Sequence, residues 1–275
     1  MKPLYCWIWV YLISQWLESF IFDEYDNNDM RMAERIILGK FTMKEINNII
    51  QRASCIQDIS ERINTISHYF IGVEYGESTL IGRQDTPEIF IINLEKMDCF
   101  TFLDYVEAMR LSRSFSEFVI NLKRVRYKNG VVSFENRNHF FTDWLEYNSD
   151  FVDEVTDIIG GQKIDIIIKN LNIKENGTLF LPGILSTERE IRYIPCERFD
   201  DSVFSKLITG DYVGIYSRLS GLDVSHVGII IKEDKNIFIR HACSQKEIRK
   251  VVDQDLIQYV SDKPGIIVFR PKAFK

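Results

Sequence analysis

Little in this sequence points to metal, disulfide or nucleic-acid chemistry. Its five cysteines (Cys6, Cys55, Cys99, Cys196 and Cys243) are odd in number, irregularly spaced and never form a CxxC pair. That excludes a disulfide framework and a zinc site as readings of the cysteines. Four histidines are too few and too dispersed to mark a metal cluster. Positive charge is not in surplus. A net charge of −6 leaves no basic excess to displace counterions, which argues against nonspecific nucleic-acid binding. The densest basic run, LKRVRYK from Leu122 to Lys128, reads as the solvated face of a helix. There is no internal repeat and no low-complexity linker.

Long apolar runs are also missing. The apolar run LYCWIWVYLI after Lys2 is too short to read as a membrane span. Its length suits the core of a secretory signal. The following SQWLESF lacks the small residues of a cleavage site, and Cys6 lacks those of a lipoprotein site. Residues 1–22 therefore read as a signal peptide or as an intrinsic apolar segment. The first reading makes the protein periplasmic or secreted, with no stable membrane span when mature; the second leaves it cytoplasmic.

What is present is an ordinary globular composition, with 45% hydrophobic and 27% charged residues. Residues 23–275 read as a single catalytic domain. TMKEINNIIQRA opens with Thr42 and has Glu45 three residues on, a capping box. DISERINTISHYF repeats the device with Asp58 and Glu61, so the part from about 42 to 70 is helical; His68 within it reads as structural. SEFVINLKRVRY suggests a further helix ending near Asn129 and Gly130. VVSFENRNHFFTDWLEYN mixes a strand with an aromatic loop, in which His139, Asp143 and Trp144 form a packed corner or a wall of a substrate groove. GDYVGIYS, HVGIIIK, NIFIRHA and PGIIVFRP are short β-rich runs separated by turn residues. Helices early and strands late imply an α+β fold with an antiparallel sheet.

The chain is organised around KMDCFTFLDYVEAMRL, Lys96 to Leu111. Asp98 is a preferred N-cap, which puts Cys99 at the first helical position. Phe102, Leu103, Val106 and Met109 then supply a buried stripe. A thiol at a helix N-terminus sits in the positive end of the dipole, which lowers such pKa values to about 3.5–7.5. Cys99 is thus a candidate nucleophile or, alternatively, a core thiol. Cys55, Cys196 and Cys243 read as structural.

Two of the four histidines converge with each other. If SHVGIIIKEDKNIFIRHACS is a hairpin turning between Glu233 and Asp234, His226 lies directly opposite His241. Directly opposed residues share a face, with Cβ atoms about 4.5–5.5 Å apart. A cysteine hydrolase needs a thiol, an imidazole to carry its proton, and a polar group to orient that imidazole. Cys99, His226 and His241 fit those roles in that order. A cysteine on a helix and a histidine on a strand is the papain-like arrangement.

DCFTFLDYV, GDYVGIY, SHVGIIIK and IRHACS resemble the NlpC-type superfamily of cell-wall cysteine peptidases. NRNHFFTDW, REIRYIP and SGLDVSHVGIII narrow the resemblance to the N-acetylmuramoyl-L-alanine amidase-like family, over about Met43 to Arg270. Phe100 departs from that pattern, where a small or hydroxylated residue is commoner. The resemblance implies a papain-like NlpC-type fold with the cysteine helix on an antiparallel sheet. It implies a peptidoglycan or muropeptide substrate, cut between N-acetylmuramic acid and L-alanine. It implies Cys99 as nucleophile, His226 as base and His241 as the orienting residue, with no metal or other cofactor. Tyr75 becomes a candidate second oxyanion donor, and Asp98, Asp223 and Ser225 become candidates for shaping the site. Three alternatives stay open: a γ-D-glutamyl-diamino acid endopeptidase, another acyl-transfer activity, and an inactive muropeptide-binding module. Lipid-acting relatives place His before Cys, and here Cys99 precedes His226.

Overall fold

A computed structural model describes residues 34–273. The apolar segment read as a signal, with Cys6, lies outside the described residues. The first half is mainly helical. After β1 (Arg35–Ile37), α1 (Met43–Ser54) starts from Thr42, whose side chain caps Glu45 N–H while Glu45 bonds back to the cap. The next helix, α2 (Ile59–His68), has half of the expected device. Asp58 accepts from Glu61 N–H, but Glu61 does not return the bond. His68 is exposed in its last turn. Short strands β2 (Glu74–Tyr75), β3 (Ile81–Arg83), β4 (Thr86–Ile89), β5 (Ile91–Asn93) and β6 (Lys96–Met97) lead to α3 (Cys99–Arg110).

The helix α3 departs from a single apolar stripe. Every residue from Thr101 to Arg110 is buried, so charged side chains enter the interior. There they are paired. Arg110 grips Glu107 through Nε (2.7 Å) and Nη2 (2.6 Å), and the Tyr212 hydroxyl donates to the same carboxylate. Asp104 accepts from Arg126 Nε at 2.8 Å and from Trp144 Nε1 at 3.1 Å. Arg126 belongs to α4 (Phe115–Arg126), which stops before Asn129 and Gly130; both of these take positive φ in the turn that follows. The basic run is therefore not wholly a solvated face, because Arg126 is fully buried.

Residues 131–140 form loop rather than the expected strand, and α5 (Phe141–Tyr147) follows directly. Next come β7 (Val152–Glu154), α6 (Thr156–Gly160), β8 (Asp165–Leu171), β9 (Thr187–Pro195), α7 (Asp201–Lys206), β10 (Tyr212–Tyr216), β11 (Val224–Glu233), β12 (Asn236–Ala242), β13 (Val251–Asp255), α8 (Leu256–Val260) and β14 (Gly265–Pro271). They build one antiparallel sheet in the order β13-β12-β11-β10-β14-β9-β8, with β7 beside β14. One face packs against the α1–α5 layer through Val227, Ile229 and Ile231; the other packs against α6–α8 through Ile230, Ile237 and Ile239. Burial on both faces explains continuous apolar runs such as GIII, where a half-exposed strand would alternate. No helix among the described residues is long and apolar enough to cross a membrane.

Replacing Arg126 by Met would leave the Asp104 carboxylate buried without its cation. Breaking a buried pair in this way costs about 3–5 kcal/mol. Urea denaturation of Arg126→Met should show a loss of that order; a loss below about 1 kcal/mol would mean that the pair carries little of the fold.

Candidate functional site

The fold delivers Cys99 to the end of the sheet. Asp98 Oδ1 accepts from Phe100 N–H (3.1 Å) and Thr101 N–H (2.7 Å), and Thr101 Oγ1 bonds back to Asp98 N–H at 3.0 Å. This box fixes the first turn of α3 and the cysteine on it. The sulfur then meets β11. Ile230 exchanges both backbone hydrogen bonds with the β10 side, at Asp211 and Gly210. Alternation turns Val227 and Ile229 toward β12. The ladder to β12 ends at Ile229↔Arg240, so Val227 lies past its end, and its backbone amide favours thiolate at Cys99.

Three amides favour thiolate, those of Val227, Cys99 and Phe100. They do not prevail. Burial, with the neighbouring Asp98 carboxylate adding repulsion, pushes the Cys99 thiol up to about 12. The expected low thiol pKa is therefore corrected. A helix N-terminus contributes a few tenths to about 1 kcal/mol when exposed, whereas removing an anion from water costs several.

The histidines meet, but by another register. The turn falls at Asp234 and Lys235, with Glu233↔Asn236 as the last pair, two residues from the expected pairing. A two-residue shift keeps every side chain on its face. His226 and His241 become diagonal neighbours, and His226 Nε2 lies 2.7 Å from His241 Nδ1. Their rings stand perpendicular, at 4.8 Å between centroids. On the next strand Gln254 is again diagonal to His241, which lies opposite Val252. Gln254 Oε1 lies 2.7 Å from His241 Nε2.

This row fixes the protons. The Gln254 carbonyl oxygen can only accept, so His241 Nε2 donates to it. Neutral His241 then accepts at Nδ1, and His226 Nε2 donates there. The remaining His226 nitrogen, Nδ1, keeps a lone pair. Both rings are neutral near pH 7: burial, His241 and Lys263 hold His226 near 3, and burial holds His241 near 4 despite Gln254 and Asp253. Tyr259 of α8 packs on His241 at 4.9 Å between ring centroids.

With this geometry established, comparison with known proteins identifies the family. Residues 65–266 match the AmiA-like family, described as N-acetylmuramoyl-L-alanine amidase-like. The chain belongs to that family. A Legionella pneumophila protein structure superposes with a TM-score of 0.71 at 24% identity, covering 84% of this chain and 94% of that one. An N-acetylmuramoyl-L-alanine amidase from Bacteroides uniformis gives a TM-score of 0.65 at 26% identity, over 78% of this chain and 99% of that one. A search of curated proteins finds no match.

In this AmiA-like chain the other candidate residues separate. Tyr75 belongs with the cysteine: burial and then the proximity of Cys99 and Asp98 push its hydroxyl up to about 12. Ser225 is exposed beside His226. Asp98 spends Oδ1 on the cap and also borders a cleft. The rest are bonded within the fold. Trp144 is fully buried, bonded to Asp104. Asp143 is held by Arg189 at 2.7 Å. His139 bonds Phe134 O at 2.7 Å, and burial lowers it to about 4. Asp223 is buried and accepts from Thr142 N–H and Oγ1 and from Val224 N–H. Phe100 packs edge-on against Phe141. Cys196 and Cys243 carry free thiols within the fold, whereas Cys55 is an exposed helix cap. Among the described residues no group of three or more His, Cys, Asp or Glu is placed to hold a metal ion.

Gln254 was not singled out from sequence. VVDQD opens with two β-branched valines, but its three consecutive polar residues break the strand alternation, and only long-range pairing shows that it lies beside β12.

Neutral thiol and neutral imidazole have a kinetic signature. Alkylation of Cys99 by iodoacetamide, followed by peptide mass spectrometry, should climb steadily as pH rises from 6 to 10. A plateau below pH 7 would instead reveal a standing thiolate–imidazolium pair.

Proposed function

We propose that this chain is a cysteine amidase that cleaves the bond between N-acetylmuramic acid and L-alanine in peptidoglycan fragments. Membership of the amidase-like family and the Bacteroides uniformis amidase support the substrate class. The hydrogen-bonded row from Gln254 through His241 to His226 supports the chemistry, and it is the observation that carries the reading. It leaves His226 Nδ1 as a proton acceptor one residue from Val227, whose backbone amide favours thiolate at Cys99. We read the cysteine at a helix start and the histidine on a strand as a papain-like, NlpC-type plan.

The thiol attacks the lactyl carbonyl as His226 Nδ1 takes its proton. The new C–S bond leaves a tetrahedral oxyanion, met by the Cys99 backbone N–H and the Tyr75 hydroxyl. A preorganised donor of this kind is worth about 2.7–4 kcal/mol. The imidazolium, stabilised by His241, returns its proton to the departing L-alanine nitrogen, and the C–N bond breaks. Water, deprotonated by the same His226, then hydrolyses the thioester and restores the thiol. No step calls for a metal or another cofactor. The apolar N-terminal run supports a site of action in the periplasm or outside the cell.

A muropeptide digest read by mass spectrometry tests this. The wild type should release the whole stem peptide beginning with L-alanine, and Cys99→Ala should release none. His226→Ala should lower kcat by about 10²–10⁴-fold. Cleavage inside the stem would reassign the protein to endopeptidase chemistry, and binding without cleavage would make it a recognition module.

A further inference from the structure

The seven residues of β8 form an outer edge of the sheet, with no strand beyond them among the described residues. Three consecutive isoleucines on this edge are open to solvent: Ile166 is 56% exposed, Ile167 38% and Ile168 63%. Exposed edges are normally blunted by a proline, a bulge or an outward lysine. β8 has none of these. Its register with β9 runs from Asp165 to Leu171 without a shift. Its one lysine, Lys169, is turned inward, where its ammonium donates to the carbonyls of Ser217, Leu219 and Leu222. The strand at the other end of the sheet is protected: β13 exposes Asp253 and Asp255.

Backbone geometry places the free groups of the edge. The Asn172 N–H bonds Gly221 O at 2.8 Å, outside the β8–β9 ladder. In a trans peptide the preceding carbonyl points the other way, so Leu171 C=O faces β9. Alternation then gives Leu171, Lys169 and Ile167 to β9 and leaves the N–H and C=O of Ile168 and Ile166 on the open side. Asn170 shares that side, but its carbonyl is taken by Ile173 N–H at 3.5 Å. The open stretch is therefore symmetric about Ile167. A second copy running antiparallel about a two-fold axis at Ile167 matches it. Ile166 of each chain then lies opposite Ile168 of the other, and each such pair exchanges both backbone hydrogen bonds. The charges agree with this register. On β9, Arg192 lies opposite Ile166 and Glu190 opposite Ile168. Within one chain they pair at 2.5 Å, and Arg192 also reaches Asp157 at 3.7 Å. The two-fold puts Arg192 of one chain in the row of Glu190 of the other, so no like charges face each other. On the opposite face Asp165 comes level with Lys169, again of opposite sign.

We infer that β8 is a homodimer interface, in which the sheets of two chains join edge to edge across Ile167. The contact is closed, because it uses the same edge of both chains and leaves none to add a third. One strand per chain is at the small end of specific interfaces, so the dimer forms reversibly. The inference does not depend on the amidase reading.

Two measurements test it. The first is sedimentation velocity of the full chain from micromolar to submillimolar concentration. The wild type should shift from one chain mass to two as concentration rises. The double variant Ile166→Lys, Ile168→Lys sets like charges opposite each other across the axis. It should keep the wild-type circular dichroism spectrum and stay at one chain mass throughout. A wild type that remains monomeric, a dimer that survives the double substitution, or growth beyond two chains overturns the interface. The second measurement tests the register through Ile167→Cys. Ile167 and its symmetry mate form a non-hydrogen-bonded pair, with Cα atoms about 4.5 Å apart, within the span of a disulfide. Mild oxidation should give a covalent dimer whose peptides, read by mass spectrometry, are joined at position 167. Ile168→Cys should not join to itself, because the two-fold sets that position two residues out of register with its mate. Linkage at neither position, or at 168 in preference to 167, overturns the two-fold.

Discussion

The hydrogen-bonded ladder between β11 and β12 stops at Ile229 and Arg240, while the pairing of β12 with β13 continues to Ala242. That ending leaves the Val227 backbone amide to favour thiolate at Cys99. It also lets His226 and His241 turn toward each other as diagonal neighbours. A ladder extended by two more residues would commit Val227 to β12 and close the gap. The helix start at Asp98 aims the cysteine, but the opening in the sheet decides what the sulfur meets.

Burial then sets the protonation of every member. His241 is buried and Cys99 and His226 are half-buried, and this withdrawal from water favours the neutral forms: the thiol is pushed up and the imidazoles are pushed down. In the proposed mechanism charge is created only when the proton moves from thiol to imidazole. The same exclusion has a cost in acid. The unfolded histidines bind protons near pH 6.5, while the folded ones resist to about 3–4, so the stability from keeping them neutral is present above 6.5 and lost as pH falls through that window. Further along the buried helix, Arg110 and Arg126 neutralise Glu107 and Asp104, the interior charges that α3 brings with it.

Local features were legible in the sequence, and distant ones were legible only in part. Asp98 and Thr42 announce their helices because capping is a contact across three residues. The strands from Tyr212 onward announce themselves by β-branched runs. The nearness of His226 and His241 was reached from a register two residues off, and it survived because a shift of two preserves the face. Gln254 escaped because its partner, His241, is reached through strand pairing rather than chain proximity. His139, Asp143, Trp144 and Asp223 were polar or aromatic residues near recognisable motifs, and nothing local distinguishes a groove wall from a buried corner. Arg126 was misread for the same reason: its acid partner lies one helix away.

The central claim is that burial keeps His226 neutral, while the row from Gln254 through His241 places its proton on Nε2 and leaves a lone pair on Nδ1. Long-range ¹⁵N–¹H correlation spectra of the histidine rings at pH 7 read this directly. The account predicts neutral Nε2–H tautomers for both His226 and His241. A doubly protonated His226, or a neutral ring with its proton on Nδ1, would contradict it.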